Sequence, residues 1–510
     1  MSTTGKTLIR SGAARVVHTV LSIAVAFWML PFLISHLGMH SYGLWVAIGT
    51  LTANYYLLDV GLASAVTRNV AGALATNDSQ RANHVINTAL WIYLAIAAVV
   101  AVCAVGMAFA AQLFIERAGD IAPVRQAVLI TGLTLALHFP FNALSGIIQA
   151  RARYDLLAIA QVLTLAFQTG ATVVLIRGGY GIVALAWIGA ASAVLSNYLH
   201  LRIARSLFAD LTFNRSFVNR QTARSLFGYS TWSFVAQLAD QARSGIDPLV
   251  VGHVRGAEQI TRYSVGSRLV DYTLQLLYRA TNTVTPVLTR MLTQGRAQDT
   301  HAAVSILLRI NVVLVVFAAG ALITFVHNFL TRWMGPGYDT SATVAIILIA
   351  AKSFEFSVAP LDSLLYAAAK HKYLSIILMI EGAINVGLSL ILGQTYGLIG
   401  VALGTAIPLI IFRVLVFVPM TARITGIPLS KIVMAFARPA AIGVLIMTVL
   451  AAAYHSSEQP ISYLAFAIEG LTASAVYFPL MFLCAFSKEE KRRILSAIMA
   501  SLGMQPRQSS

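Results

Sequence analysis

Charge is what this sequence has least of. Of 510 residues only 11% are Asp, Glu, Lys or Arg, against about a quarter in an ordinary soluble chain. A water-facing surface cannot be built from so little charge, which excludes a soluble globular enzyme. Cysteine is nearly absent too. Cys103 and Cys484 each stand alone in an apolar run, so they form no metal-ligand spacing and read as small membrane-buried side chains. No small-residue cleavage site follows the first apolar run, so no cleaved signal peptide is expected. Also missing are a Gly-x4-Gly-Lys-Ser/Thr phosphate loop, a His-Glu-x-x-His, a paired Cys-x-x-Cys and a convincing Ser-His-Asp arrangement. Nucleotide hydrolysis by a phosphate loop therefore has no basis, and neither a catalytic group, a cofactor nor a metal is expected. The loop from Arg68 to His84 lacks the Gly-x-x-x-Asp-Arg/Lys signal of the major facilitator group.

What is present is apolar chain: 58% of the residues are hydrophobic and the mean hydropathy is +0.77. At roughly 20 residues per membrane helix this suffices for about fourteen spans. The apolar stretches fall at 13–35, 41–67, 85–112, 126–150, 155–176, 181–203, 226–252, 259–289, 303–329, 341–369, 373–394, 397–421, 432–454 and 461–486. The expected fold is an all-α polytopic integral membrane protein.

Net charge is +17. In a soluble domain that would suggest nucleic acid, but here the basic residues sit in short loops between apolar stretches. Even-numbered loops and the two tails hold about 23 Lys and Arg, and odd-numbered loops about six: Arg117, Arg125, Arg177, Arg255, Arg262 and Arg332. The asymmetry excludes a nucleic-acid partner and puts both termini in the cytoplasm. No odd-numbered loop is long enough to hold a catalytic domain.

Landmarks recur at a displacement of about 216 to 220 residues. Pro31 matches Pro248, Pro140 matches Pro360, and Tyr180-Gly181 matches Tyr396-Gly397. Arg151-Ala152-Arg153-Tyr154 likewise matches Lys370-His371-Lys372-Tyr373. An even number of spans per repeat gives two lobes inserted in the same orientation. The expected organisation is a six-helix lobe at 1–203, a basic cytoplasmic linker at 204–225 and a second six-helix lobe at 226–422. Two additional helices and a basic tail fill 423–510.

Charges inside spans are costly and usually face a cavity or a partner. In the seventh span Gln237, Asp240, Ser244 and Asp247 follow helical spacing, with Arg243 beside them. The eighth carries Arg268, Asp271, Gln275, Arg279 and Asn282 on one face, and the tenth carries Lys352, Glu355 and Asp362. Two readings are open. Asp240–Arg243, Arg268–Asp271 and Lys352–Glu355 are all i,i+3 pairs that could neutralise one another within a helix; alternatively, three polar faces line a hydrated cavity. Asp59, Arg309, Glu381 and Arg413 look isolated, as packing or interfacial charges, and His18 and His327 carry no sign of a role.

Leu37-Gly38-Met39-His40-Ser41-Tyr42-Gly43-Leu44-Trp45, then Leu58-Asp59-Val60-Gly61-Leu62 and the basic-Tyr element after the fourth span, resemble polysaccharide-biosynthesis flippases of the Wzx type. These belong to the MOP superfamily, with the MATE exporters and the peptidoglycan-precursor flippases. The resemblance implies a bacterial inner-membrane flippase for O-antigen or exopolysaccharide, moving polyprenyl-diphosphate-linked oligosaccharides by alternating access. It implies a cationic cavity, for which Arg243, Arg268 and Arg279 are the candidates to hold diphosphate or acidic sugar, with Gln237 and Gln275 beside them. Asp240, Asp271 and Glu355 are the candidates for ion coupling. The implied partners are the lipid-linked oligosaccharide, the bilayer, a polysaccharide polymerase and a chain-length regulator. A cation-coupled exporter of small amphiphiles is the alternative.

Overall fold

The computed structural model describes residues 3–53, 59, 62–111, 117–227, 241, 245–281, 284–294, 297–368, 370–456 and 462–501. Side chains are described except at 3–16, 279–281, 284–287, 289, 297–298, 371, 456 and 497–501. Among these residues there is no strand. Helices α1 (Thr3–Ala53), α2 (Leu62–Ala75), α3 (Ser79–Ala110), α4 (Ala118–His138), α5 (Asn142–Ala150), α6 (Tyr154–Arg177) and α7 (Ile182–Leu207) come first. Then follow α8 (Arg220–Phe227), α9 (Asp247–Arg255), α10 (Ala257–Thr281), α11 (Val284–Thr293), α12 (Ala297–Met334) and α13 (Asp339–Ala367). The last are α14 (His371–Ile411), α15 (Val418–Thr425), α16 (Leu429–Ser456), α17 (Tyr463–Ala485) and α18 (Lys488–Ser501).

Ten helical stretches of the described chain are long and apolar enough to cross a membrane. Two of them, Val17–Ala53 and Lys372–Thr425, each hold two of the expected spans, folded at a glycine. Gly38 interrupts α1 at φ 80, ψ 159, and Gly397 interrupts α14 at φ 62, ψ −135. Only glycine takes such angles without steric cost. After the Gly397 turn the two arms of α14 pack backbone to backbone, since a Cβ on Gly400 or Gly404 would run into Leu392 or Ser389. The expected spans 226–252 and 259–289 are not among the ten. The first lies largely outside the described residues, and the second is interrupted by the charged face of α10. The membrane character also shows in what is turned outward: Val102 is 72% exposed, Leu137 69% and Val174 69%. Such side chains are stable only against lipid. The protein is a multi-pass, all-α membrane protein.

Of the span placed at 41–67, the structure describes helix up to Ala53 and from Leu62 on, with Asp59 between them, and residues 54–58, 60 and 61 lie outside the described residues. The fourth expected span departs from continuous α-helix among the described residues. There Pro140 sits in a 3-10 turn, Phe139–Phe141, between α4 and α5. Proline has no N–H to give the ladder, so the helix tightens locally instead of running on.

By their internal contacts the helices group into two units, Met1–Arg262 and Tyr263–Ser510, the division falling within α10. The first unit packs α2, α3, the Pro140 turn and α5 around Val66, Val70, Ile86, Tyr93, Phe139 and Ile147, all buried. A second glycine, Gly256 at φ 81, ψ 173, joins α9 to α10 with nearly the angles of Gly38. Gly43 lies under the Ala257 carbonyl, where no side chain would fit, and Thr261 Oγ1 donates to the Met39 carbonyl at 2.6 Å. In the second unit Tyr477 Oη donates to the Val313 carbonyl at 3.0 Å, and Arg309 Nη1 donates to the Ala485 carbonyl at 2.9 Å while facing Glu490 at 3.4 Å. These contacts dock α17 and α18 on α12, so Arg309 has a packing role.

The basic segment after α7 is held down. Asn83 Nδ2 donates to the Asp210 carbonyl at 2.9 Å, and its Oδ1 accepts from Thr212 N at 3.1 Å. One turn on, Asn87 Nδ2 donates to the Thr212 carbonyl at 2.8 Å and Oδ1 accepts from Asn214 N at 3.0 Å. Two buried amides thus do for this backbone what a neighbouring strand would do. Asn87→Ala strands a carbonyl and an N–H, at about 1–3 kcal/mol. Trypsin cleavage of the solubilised protein at Arg215 or Arg220 is expected to quicken about tenfold, each 1.4 kcal/mol being one decade in the open population. Unchanged cleavage would show that the amides do not anchor the segment.

Candidate functional site

The membrane charges of the second unit meet on three elements: α10, α13 and the single π-helical turn Phe412–Phe417 that ends α14. Lys352 Nζ donates to Asp271 Oδ1 at 2.9 Å. Arg413 forks, Nη1 to Asp362 Oδ1 at 2.8 Å and Nη2 to Glu355 Oε1 at 3.0 Å. Its guanidinium carbon lies 4.7 Å from the centre of the Phe417 ring, and its side chain is 3% exposed. A wider turn shifts the phase of the residues after it and is frequent at functional sites. The planar guanidinium suits this position because it can face two carboxylates at once.

The i,i+3 alternative is thereby corrected for the tenth span and for Asp271. Lys352 pairs with Asp271 on α10, and Glu355 pairs with Arg413, so neutralisation runs between helices. Arg413 is not an isolated charge but the hub of a buried triad. Glu381, on α14, is fully buried rather than interfacial, with Asn385 and Ser389 buried one and two turns further on. Asp59 is not isolated either: Tyr93 Oη, fully buried, donates to its Oδ1 at 2.5 Å.

Arg268 stands apart. It is exposed on α10, and among the described residues no carboxylate lies within ion-pair distance of it. Gln275, two turns along the same face, is exposed as well, and Asp271 lies between them. Arg279 continues the series on the backbone of α10, with its side chain outside the described atoms. Gln237, Asp240 and Arg243 lie outside the described residues. Among the described residues no group of three or more His, Cys, Asp or Glu side chains could hold a metal ion. The signal that could have found Arg413 was its cost: a lone arginine in an apolar span requires partners.

Comparison with solved structures defines the fold. The chain has the fold of a structure of the lipid II flippase MurJ in an inward closed conformation, with a TM-score of 0.69 over 93% of this chain and 99% of that one, at 14% identity. It is similar to an inward-facing multidrug resistance MATE family transporter of the MOP superfamily, with a TM-score of 0.65 over 81% of this chain and 95% of that one, also at 14% identity. This is the fold of the MOP transporters. The chain belongs to the polysaccharide biosynthesis protein family, whose model matches residues 37–328. Among curated relatives it is 25% identical over 506 residues to the uncharacterized membrane protein EpsK of Bacillus subtilis (strain 168), covering 96% of this chain and 98% of that one. It is also 22% identical over 195 residues to the probable low-salt glycan biosynthesis flippase Agl15 of Haloferax volcanii, covering 38% of this chain and 41% of that one.

Proposed function

We propose that this protein is a flippase that moves polyprenyl-diphosphate-linked oligosaccharide repeat units across the bacterial inner membrane by alternating access, for O-antigen or exopolysaccharide biosynthesis. It is no enzyme in this reading. One observation carries it: a chain of the polysaccharide biosynthesis family with a MOP transporter fold carries, on α10, an exposed arginine that no described carboxylate neutralises. Lys352, Asp271, Glu355, Asp362 and Arg413 are paired with one another, so among the described side chains of that region Arg268 is the one available to meet an anionic cargo. Guanidinium groups grip diphosphate through several fixed donors. Arg243 and Arg279 are proposed to share the task, with Gln237 and Gln275 bonding the adjoining polar groups.

Ion coupling is assigned to Asp240, Asp271 and Glu355. For Asp271 and Glu355 an incoming cation or proton has to displace Lys352 or Arg413, so exchange of an ion pair is the proposed coupling step. Two six-helix lobes, 1–203 and 226–422, joined by the 204–225 linker, would rock about the cargo. The 423–510 helices lie outside the repeat, and both termini are in the cytoplasm. A polysaccharide polymerase and a chain-length regulator are the proposed downstream partners.

The test is deletion of the gene in its host, with analysis of surface polymer and lipid-linked intermediates. Loss of polymer with build-up of complete lipid-linked repeat units is expected. Unchanged polymer with altered sensitivity to cationic amphiphiles would favour a cation-coupled exporter. A repeat unit short by one sugar would mean a transferase.

A further inference from the structure

Within the first unit, α4, α6, α7 and the second arm of α1 line an open cavity of about 310 Å³. Its lining is uncharged and mostly apolar, with hydroxyl, imidazole and amide groups set into it. Thr52, Thr131, Thr134, His138, Gln168 and Ser192 face it, and no carboxylate, ammonium or guanidinium group does. The chemistry of these groups is one-sided. Thr131 Oγ1 donates to the Ala127 carbonyl at 2.7 Å, Thr134 Oγ1 to Ile130 at 2.6 Å, Ser192 Oγ to Ile188 at 2.7 Å and Thr52 Oγ1 to Ile48 at 2.9 Å. These four hydroxyl hydrogens are thus committed to their own helices, and what those groups leave for a ligand is the oxygen lone pairs, while the Ser196 hydroxyl on the same wall lies 3.3 Å from His200 Nδ1. His138 behaves alike: Nδ1 donates to Asn197 Oδ1 at 2.7 Å, which leaves Nε2 as an acceptor. Gln168 alone offers amide hydrogens.

An uncharged, mostly apolar wall whose polar groups are chiefly acceptors favours a neutral ligand with apolar faces and hydrogen-bond donors, such as a sugar ring. A cation would find no carboxylate to compensate its desolvation, and an anion would meet lone pairs. The volume is at the small end for ligand sites, enough to seat one sugar ring, and the open side leaves room for the rest of a chain to lie outside. We infer that this cavity is a subsite for a single uncharged sugar residue of the cargo, bound through its hydroxyl groups. The inference rests on the flippase reading and deepens it: within the first unit a sugar of the cargo is recognised through hydroxyl oxygens and not through charge.

Gly189, on the cavity wall, makes the idea testable without disturbing packing. A Cβ added there would meet no atom within 4 Å, so a longer side chain grows into open space. Helix propensity also favours the change. Full-length wild type, Thr134→Val, Gly189→Ala and Gly189→Leu are compared in lipid nanodiscs by saturation-transfer NMR. The probes are methyl glycosides of neutral hexoses and N-acetylhexosamines, glucuronic acid and tetraphenylphosphonium. At least one neutral glycoside is expected to bind wild type and Gly189→Ala, about tenfold less tightly Thr134→Val, and not Gly189→Leu. Glucuronic acid is expected to give no signal. Binding of no neutral glycoside, glycoside binding that survives Gly189→Leu, or tetraphenylphosphonium as the only probe that Gly189→Leu excludes would each overturn the subsite. The flippase reading fails separately, on the polymer and intermediates of the deletion strain, so the two failures are told apart.

Discussion

Arg413→Ala is expected to remove most of the folded protein from the membrane. The substitution deletes the shared partner of Glu355 and Asp362, whose side chains are 12% and 22% exposed, and leaves two carboxylates facing each other with no cation between them. Breaking a buried pair from one side costs about 3–5 kcal/mol, a large part of the roughly 5–15 kcal/mol by which native proteins are stable. The yield of monodisperse protein, read by fluorescence-detected size exclusion after detergent extraction, should therefore collapse. Arg413→Lys should recover only part of it, because one ammonium cannot fork to both carboxylates or lie flat on Phe417. The triple change Arg413→Met, Glu355→Gln, Asp362→Asn should recover more, since neutral groups of similar size avoid the desolvation cost altogether. If Arg413→Ala extracted at wild-type yield, the triad would not be what ties α13 to the end of α14. The triple variant serves a second purpose: folded but unable to exchange ion pairs at Glu355, it should be inactive if that carboxylate is the coupling group.

Why the triad was not legible in the sequence is a matter of range. Arg413 stands 51 residues from Asp362 and 58 from Glu355, and Lys352 stands 81 from Asp271. Helical periodicity relates residues three or four apart, so it could place Arg268, Asp271 and Gln275 on one face but could not say what lies opposite. It offered the i,i+3 partner by default, and the structure chose the neighbour across helices. Hydropathy, by contrast, is a local sum, and apart from 41–67, 226–252 and 259–289 the spans it located coincide with the long apolar helices to within a few residues at most ends. It failed where the chain interrupts a helix for local chemical reasons. Pro140 carried the sign of such an interruption, and a 3-10 turn is there. The hydroxyls of the first-unit cavity were invisible for a different cause. Single Thr and Ser residues in apolar helices look like ordinary back-bonded side chains, which they are; only the assembly of four helices turns their leftover lone pairs toward one space. The family, finally, was legible from the motif beginning at Leu37, the residue at which the family match also begins.

Arg268→Glu is expected to leave the fold intact and to abolish export. Arg268 is exposed, and among the described residues nothing pairs with it, so its removal breaks no packing and strands no partner; such changes usually stay within about 0.5 kcal/mol. Yield and size-exclusion profile should match wild type. A hydrogen bond between charged groups is worth about 1.5–3 kcal/mol, and reversing the sign adds repulsion, so surface polymer per unit of protein should fall by about two orders of magnitude or more. Lipid-linked repeat units should accumulate in step. Arg268→Lys separates charge from geometry: it keeps the attraction but not the fixed fork that suits a diphosphate, and an intermediate loss of about tenfold is expected. Arg268→Gln should lie below Arg268→Lys, because it keeps donors without the charge. Wild-type export by Arg268→Glu would remove α10 from the cargo path and with it the observation on which the flippase assignment rests. Equal losses in the Lys and Gln variants would instead mean that the site selects the shape of the donor fork, which a diphosphate demands and a simple cation gradient does not.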